Sequence, residues 1–250
     1  MEYIGIIPAR YASTRFPGKP LADLCGKPVI QHVFERASRA LDAVVVATDD
    51  ERIRQAVLAF GGRAVMTSPA HHSGTDRCWE AYCNCGSKAD VIINIQGDEP
   101  FVSPEQIEAL KQCFAADATT SIATLGKPFS VSDGLEALLN PNNVKLAFSA
   151  VTGNALCFSR SVIPFLRGVP QERWLEEGRF FRHVGMYAYR ADVLQRLTAL
   201  PQSPLELAES LEQLRWMENG YAVRVALTDT QSVGIDTQED LRQAALLMRR

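Results

Sequence analysis

Short apolar segments rich in β-branched residues recur through the first hundred positions, separated by segments with helical spacing. Tyr3–Pro8, Ala43–Ala47 and Val91–Gln96 are nearly continuous in apolar character, which suits strands covered on both faces. Between them, Val29–Ala40 and Arg52–Phe60 read as helices, the second with Ile53, Val57 and Phe60 at i, i+4 and i+7. Asp49, Asp50 and Glu51 crowd the start of that helix, where its dipole favours negative charge, and Gly61-Gly62 ends it. Ser103-Pro104-Glu105-Gln106 opens a further helix, with a capping serine, a proline in the first turn and a glutamine completing the capping box. This alternation predicts an α/β fold with a doubly wound, mostly parallel sheet. In such sheets ligands gather at the carboxyl ends of the strands.

The second half is less regular. Val144–Phe148, Ala155–Phe158 and Val184–Arg190 read as strands whose succession predicts antiparallel additions to the sheet. Ser203-Pro204-Leu205-Glu206 is a capping box opening one helix through about Asn219, with Leu207, Leu211 and Leu214 as its apolar stripe. Ala222–Ala226 reads as a strand, and Thr237-x-x-Asp240 caps a final helix to about Met248. The charged segment Gly168–Gly178 is the most loop-like and is expected to be exposed. No repeat or linker interrupts the 250 residues, so one domain is expected.

The bulk properties narrow the function. A net charge of -3 supplies no general basic field, which argues against nucleic acid as a partner. No apolar run approaches the ~20 residues that span a bilayer, and Met1-Glu2-Tyr3 lacks the layout of a signal peptide, so no membrane insertion and a cytoplasmic location are expected. The six cysteines include Cys78-x4-Cys83-x-Cys85, a poor match to zinc spacing that is better read as reduced, partly buried thiols.

Two loops follow apolar strands directly and should lie on one edge of the sheet. The first, Pro8-Ala-Arg-Tyr-Ala-Ser-Thr-Arg-Phe-Pro-Gly-Lys-Pro20, carries the cations Arg10, Arg15 and Lys19, the hydroxyls Ser13 and Thr14, and Gly18. Backbone N–H groups and cations converging where a buried strand ends suit a triphosphate. Neither the Walker A pattern nor the dinucleotide fingerprint is present. The second is Gln96-Gly97-Asp98-Glu99-Pro100. Asp98 can ligate Mg²⁺, which takes one or two carboxylates with phosphate oxygens and water; taken alone, it is equally well an aspartate in a turn. Asp236, in Val233-Gly-Ile-Asp-Thr, is by itself a helix-capping aspartate, and paired with Asp98 it becomes the second arm of a metal site.

Further polar groups are scattered. Ser73-Gly-Thr-Asp-Arg77 enters a helix and can contact a base or ribose through Ser73, Gly74, Asp76 and Arg77. The adjacent His71 and His72 read as surface or loop contacts. Arg160, Arg167, Arg182 and His183 form a cationic set that either grips a carboxylate or makes surface salt bridges. Tyr187 reads by default as core or interface, and Glu212-Gln213 as a solvated pair.

The order and content of these blocks resemble the 3-deoxy-manno-octulosonate (Kdo) cytidylyltransferase family nearly end to end. The matching blocks run from Pro8–Pro20 through Gly26–Pro28, Ala47–Asp49, Ser73–Arg77, Asn94–Pro100, Phe158–Arg160, Arg182–Arg190 and Leu211–Arg215 to Gly234–Leu241. The resemblance implies the fold of nucleotide-sugar transferases and a Mg²⁺-dependent reaction of CTP with Kdo, giving CMP-Kdo and pyrophosphate for lipopolysaccharide or capsule synthesis. It implies Arg10 and Lys19 on the triphosphate, Asp98 and Asp236 on Mg²⁺, and Ser73–Arg77 near the nucleotide. Gln96, Arg160, Arg167, His183, Tyr187, Glu212 and Gln213 match positions around the sugar. Residues 1–120 would then mainly bind CTP. Residues 121–250 would supply sugar-binding and dimerisation elements together with Asp236, in a homodimer joined through the second half. A related acidic sugar, a neutral sugar phosphate and a non-catalytic nucleotide sensor are the competing expectations.

Overall fold

A computed structural model describes residues 1–13, 15–71, 73–230 and 234–248. In chain order the strands are β1 (Tyr3–Ala9), β2 (Asp23–Leu24), β3 (Lys27–Pro28), β4 (Val44–Thr48), β5 (Ala64–Met66), β6 (Val91–Asn94), β7 (Ile122–Pro128), β8 (Lys145–Phe148), β9 (Ala155–Ser159), β10 (Phe181–Arg190) and β11 (Val223–Leu227). The helices are α1 (Val29–Ala37), α2 (Glu51–Ala59), α3 (Gly74–Asn84), α4 (Pro104–Ala116), α5 (Leu135–Leu139), α6 (Trp174–Glu177), α7 (Ala191–Thr198), α8 (Pro204–Glu209), α9 (Glu212–Glu218) and α10 (Gln238–Met248). The expected α/β class with a largely parallel sheet and antiparallel additions is the one observed.

The chain forms two compact units. The first comprises Met1–Glu108, Ala188–Thr198 and Ser232–Arg250; the second comprises Ala109–Tyr187 and Ala199–Gln231. In the first unit β1 pairs in parallel with β4 on one side and β6 on the other, and β4 pairs in parallel with β5. Every residue of β4 and β6 is buried, which is why their sequences are not alternating. Asp50 caps α2 by accepting from the Arg52 N–H at 2.9 Å, and Ser73 caps α3 by accepting from Asp76 at 3.1 Å. Helix α1 stops at Ala37, short of the expected Ala40, because Ser38–Ala40 continue as turns. A separate apolar cluster of Leu24, Val29, Ile235 and Ala244, with Phe16 packed against it, ties the first loop to the segment before α10.

In the second unit β7 and β11 are parallel, and β8 pairs antiparallel with β9 and with β10. Three expectations need correction here. The strand β7 was not foreseen. The helix expected from Ser203 to about Asn219 is two helices, broken where Ser210 adopts a left-handed φ of 50° and Leu211 is extended. The break re-aims the apolar side chains: Leu207 is 61 % exposed, whereas Leu211 and Leu214 are buried. The Gly168–Gly178 segment is not simply a loop, since it contains α6, and Trp174 packs with Leu138 and Phe180.

Candidate active site

In the first unit the carboxyl ends of β1 and β6 open into a cavity of about 820 Å³. That is within the size range of small-molecule and cofactor sites. Ten of the expected site residues line it: Arg10, Ser13, Arg15, Lys19, Ser73, Gly74, Arg77, Gln96, Asp98 and Asp236. Asp76 is in the first turn of α3, outside this lining, where its N–H is engaged by the Ser73 cap. Thr14 and His72 lie outside the described residues. His71 also lines the cavity and contacts Glu80 through Nε2, matching the expected loop role for this histidine.

The first loop is fixed by its own contacts. Gly18 has a φ of 74°, and its N–H donates to the Tyr11 carbonyl at 2.9 Å. The Arg52 guanidinium stacks 3.4 Å from the centroid of the Tyr11 ring, a cation–π contact that holds the turn. The loop thereby presents Lys19, whose Nζ contacts Asp98 and lies 3.1 Å from Asp236 Oδ1. Arg15 Nη2 reaches the other oxygen of Asp236 at 2.9 Å. Burial works against the charge on Lys19, but Asp98 and Asp236 outweigh it and hold its pKa above the usual lysine value. Arg10 is exposed at the cavity wall.

Two residues that sequence reasoning passed over set this geometry. A Cβ on Gly97 would stand 2.6 Å from the Pro8 carbonyl oxygen, so only glycine lets the Asp98 turn close onto the end of β1. Asp49 accepts from Arg77 Nη2 at 2.8 Å, while Arg77 Nη1 donates to Thr67 Oγ1 at 2.6 Å. Arg77 is therefore a buried strut between α3 and the ends of β4 and β5, with its guanidinium committed to protein partners.

The second unit has its own polar cluster. His183 stacks edge-on to Phe158 at 5.1 Å and lies 5.2 Å from Tyr187, which in turn meets Trp216 of α9 at 5.1 Å. Burial pushes the His183 imidazole down to about 3. Burial, and then the charge of Glu212, raises the Tyr187 phenol well above its ordinary value. Glu212 accepts from Arg215 Nη2 at 2.7 Å, and Gln213 is buried rather than solvated. The sequence showed no sign of Trp216. The buried Thr124 could have been noticed as the one hydroxyl in the apolar run Ile122–Leu125.

The arginines are placed differently. Arg160 donates from Nε to the Glu209 carbonyl at 2.6 Å and from Nη2 to the Ser210 carbonyl at 3.4 Å, bracing the break between α8 and α9. Arg167 is exposed. Arg182 lies 4.8 Å from the Phe129 ring, and burial lowers its pKa. All six cysteines are free thiols, and no cluster of three or more metal-ligating side chains occurs among the described residues. No helix among them is long and apolar enough to cross a membrane.

A cytidylyltransferase family model matches residues 4–229. The chain is 60 % identical over 245 residues to a 3-deoxy-manno-octulosonate cytidylyltransferase of Parabacteroides distasonis, covering 98 % of this chain and 97 % of that protein. It is 59 % identical to the Phocaeicola vulgatus protein of the same name over 249 residues, covering 100 % and 98 %. Among solved structures, a CMP:2-keto-3-deoxy-manno-octonic acid synthetase complexed with CTP superposes with a TM-score of 0.90 at 44 % identity, covering 100 % of this chain and 99 % of that one. With the strand-end cavity and its cationic loop, these matches show that the chain belongs to the 3-deoxy-manno-octulosonate cytidylyltransferase family.

Proposed function

We propose that this chain transfers the cytidylyl group of CTP to the anomeric hydroxyl of Kdo, forming CMP-Kdo and pyrophosphate for lipopolysaccharide or capsule synthesis. The observation that carries this reading is the meeting of Lys19, Asp98 and Asp236 at the mouth of the strand-end cavity, in a chain so close to proteins of that name. The sugar oxygen attacks the α-phosphorus, the bond from that phosphorus to the bridging oxygen breaks, and pyrophosphate leaves in line. Such a transfer needs positioning and charge neutralisation rather than a protein nucleophile. Lys19 and Arg10 balance the charge on the departing pyrophosphate, with Ser13, Thr14 and Arg15 completing the phosphate loop. Ser73, Gly74, Asp76 and Arg77 flank the nucleotide, Arg77 as the strut that orients α3.

Asp98 and Asp236 are the residues that would hold Mg²⁺. They fit a cation, because the Lys19 ammonium already contacts both. Two carboxylates with phosphate oxygens make a set that Mg²⁺ accepts. Bound there, the ion would supply charge neutralisation at the α-phosphate and a lowered pKa for the attacking hydroxyl.

In this reading the first unit serves CTP. Arg160, Arg167, His183, Tyr187, Glu212 and Gln213 of the second unit serve the sugar. A homodimer joined through the second unit accords with its strongly exposed apolar side chains, among them Val151 and Leu156. A cytoplasmic location accords with the supply of CTP.

Pyrophosphate release with CTP, Mg²⁺ and Kdo tests the reading, run beside sialic acid and 8-amino-Kdo and with ATP, GTP or UTP in place of CTP. Release confined to CTP and Kdo is expected. Release only with another sugar overturns the acceptor, and silence in a folded, CTP-binding protein overturns the activity.

A further inference from the structure

The polar cluster of the second unit contains a hydroxyl with more neighbours than it has protons. Thr124 is fully buried in β7, and its Oγ1 lies 3.0 Å from the Met186 carbonyl oxygen and 3.4 Å from that of Val184. The same oxygen lies 3.0 Å from His183 Nε2. A carbonyl oxygen only accepts, and a hydroxyl has one proton and two lone pairs. The Thr124 proton must therefore go to the carbonyls, or two oxygens would face each other with lone pairs alone. A lone pair of Oγ1 then receives the His183 Nε2 proton.

We infer that Thr124 is a positioning residue that fixes His183 as the Nε2–H tautomer, so that its Nδ1 is a bare acceptor reserved for a hydroxyl of the acceptor sugar. The sugar half of this inference rests on the function proposed above. His183 is neutral at ordinary pH, so it has one ring proton to place. No protein donor meets Nδ1 among the described residues, and His183 is half-buried. The flanking Phe158 and Tyr187 rings hinder a ring flip that would put ring carbons in the places of the two nitrogens. A bare imidazole nitrogen accepts from an O–H and repels a carboxylate oxygen. His183 therefore reads a hydroxyl-bearing part of the sugar and turns its carboxylate away, toward arginine.

The tautomer can be read without turnover. Long-range proton–nitrogen spectra of protein carrying ¹⁵N-labelled histidine resolve the four histidines, with His183 assigned by loss of its signals in His183→Gln. The expected pattern is a protonated Nε2 beside an unprotonated Nδ1 in the wild type, lost or mixed in Thr124→Val and restored in Thr124→Ser. With Thr124→Val, KM for Kdo should rise about tenfold, the scale of one hydrogen bond. KM for CTP should stay unchanged, and Thr124→Ser should recover the wild-type KM for Kdo. A proton on Nδ1 in the wild type, or an unaltered pattern in Thr124→Val, overturns the lock. A changed tautomer with unchanged KM for Kdo overturns the sugar contact. A wild-type enzyme silent with Kdo overturns the function proposed above, while the spectra still decide the role of Thr124. Should Thr124→Val fail to fold, the wild-type spectrum alone decides the tautomer.

Discussion

The backbone N–H of Ile235 donates to the carbonyl oxygen of Asp98 over 2.8 Å. This bond joins the two turns that carry the acidic residues of the site. It is anchored because Ile235 is fully buried against Leu24, Val29 and Ala244. Asp98 and Asp236 are therefore held together by backbone and core packing, with Lys19 added between them. Preorganisation of this kind spares the site reorganisation when a ligand arrives.

Lys19→Ala should lower kcat on the order of a hundredfold, the scale of losing one preorganised stabilising donor. Pyrophosphate release under saturating CTP and Kdo measures it, and near-normal turnover would refute the role of Lys19.

The same lysine predicts an alkaline effect. Its folded-state pKa is raised above the ordinary 10.5, so its contribution to stability is complete below that value and lost as pH rises through the folded value. Thermal melts of wild type and Lys19→Met above pH 10.5 should converge, with the wild type falling more steeply. Parallel curves would show that the carboxylates do not stabilise the ammonium.

Gly97→Ala places a methyl group 2.6 Å from the Pro8 carbonyl. Overpacking against backbone should cost about 1–3 kcal/mol in a denaturant titration. Turnover should fall as well, because the Asp98 turn must move. A neutral result in both assays would mean that the turn can shift freely.

Arg77→Leu leaves Asp49 at the end of β4 without its guanidinium. Breaking a buried pair in this way costs about 3–5 kcal/mol. Arg77→Leu with Asp49→Leu should recover part of that loss, since an isolated buried charge is worse than none. If the double variant is no more stable than the single one, the pair is not the strut described here.

His183 predicts acid sensitivity with a defined sign. Its pKa is depressed to about 3 from 6.5, so the unfolded chain binds a proton that the folded one refuses between those values. Stability is complete above pH 6.5 and falls by up to about 1.4 kcal/mol per pH unit as acid is added through that window. Melting temperatures of wild type and His183→Gln between pH 3 and pH 7 isolate the effect: the gap should change in favour of the variant as pH falls.

Much of the first unit was legible because its strands are buried on both faces and its helices carry their caps in sequence. Ser73 before α3 and Asp50 before α2 are local signals for local hydrogen bonds. The cationic loop was legible for the same reason. The rest depended on contacts distant in sequence. Nothing near Arg77 announces that Asp49 will absorb its guanidinium. Nothing near Arg160 announces that it will donate to the carbonyls of Glu209 and Ser210. The helix break at Ser210 was hidden because Pro204–Glu218 has good helical propensity throughout. The left-handed Ser210 goes with tertiary packing that buries Leu211 and Trp216 just after it.

Lys19 and Asp236 are 217 positions apart, yet they share one hydrogen bond. A ribosome adding about 5–20 residues per second makes the lysine on the order of ten to forty seconds before its partner. In that interval β1, β4 and β6 can already emerge and pair, but the second carboxylate does not yet exist. The nascent chain thus carries the cationic loop long before it carries a complete acidic pair, and the full constellation arrives as a late event of translation. Truncations that remove α10 and the turn before it should leave most strands intact and yet leave no complete site.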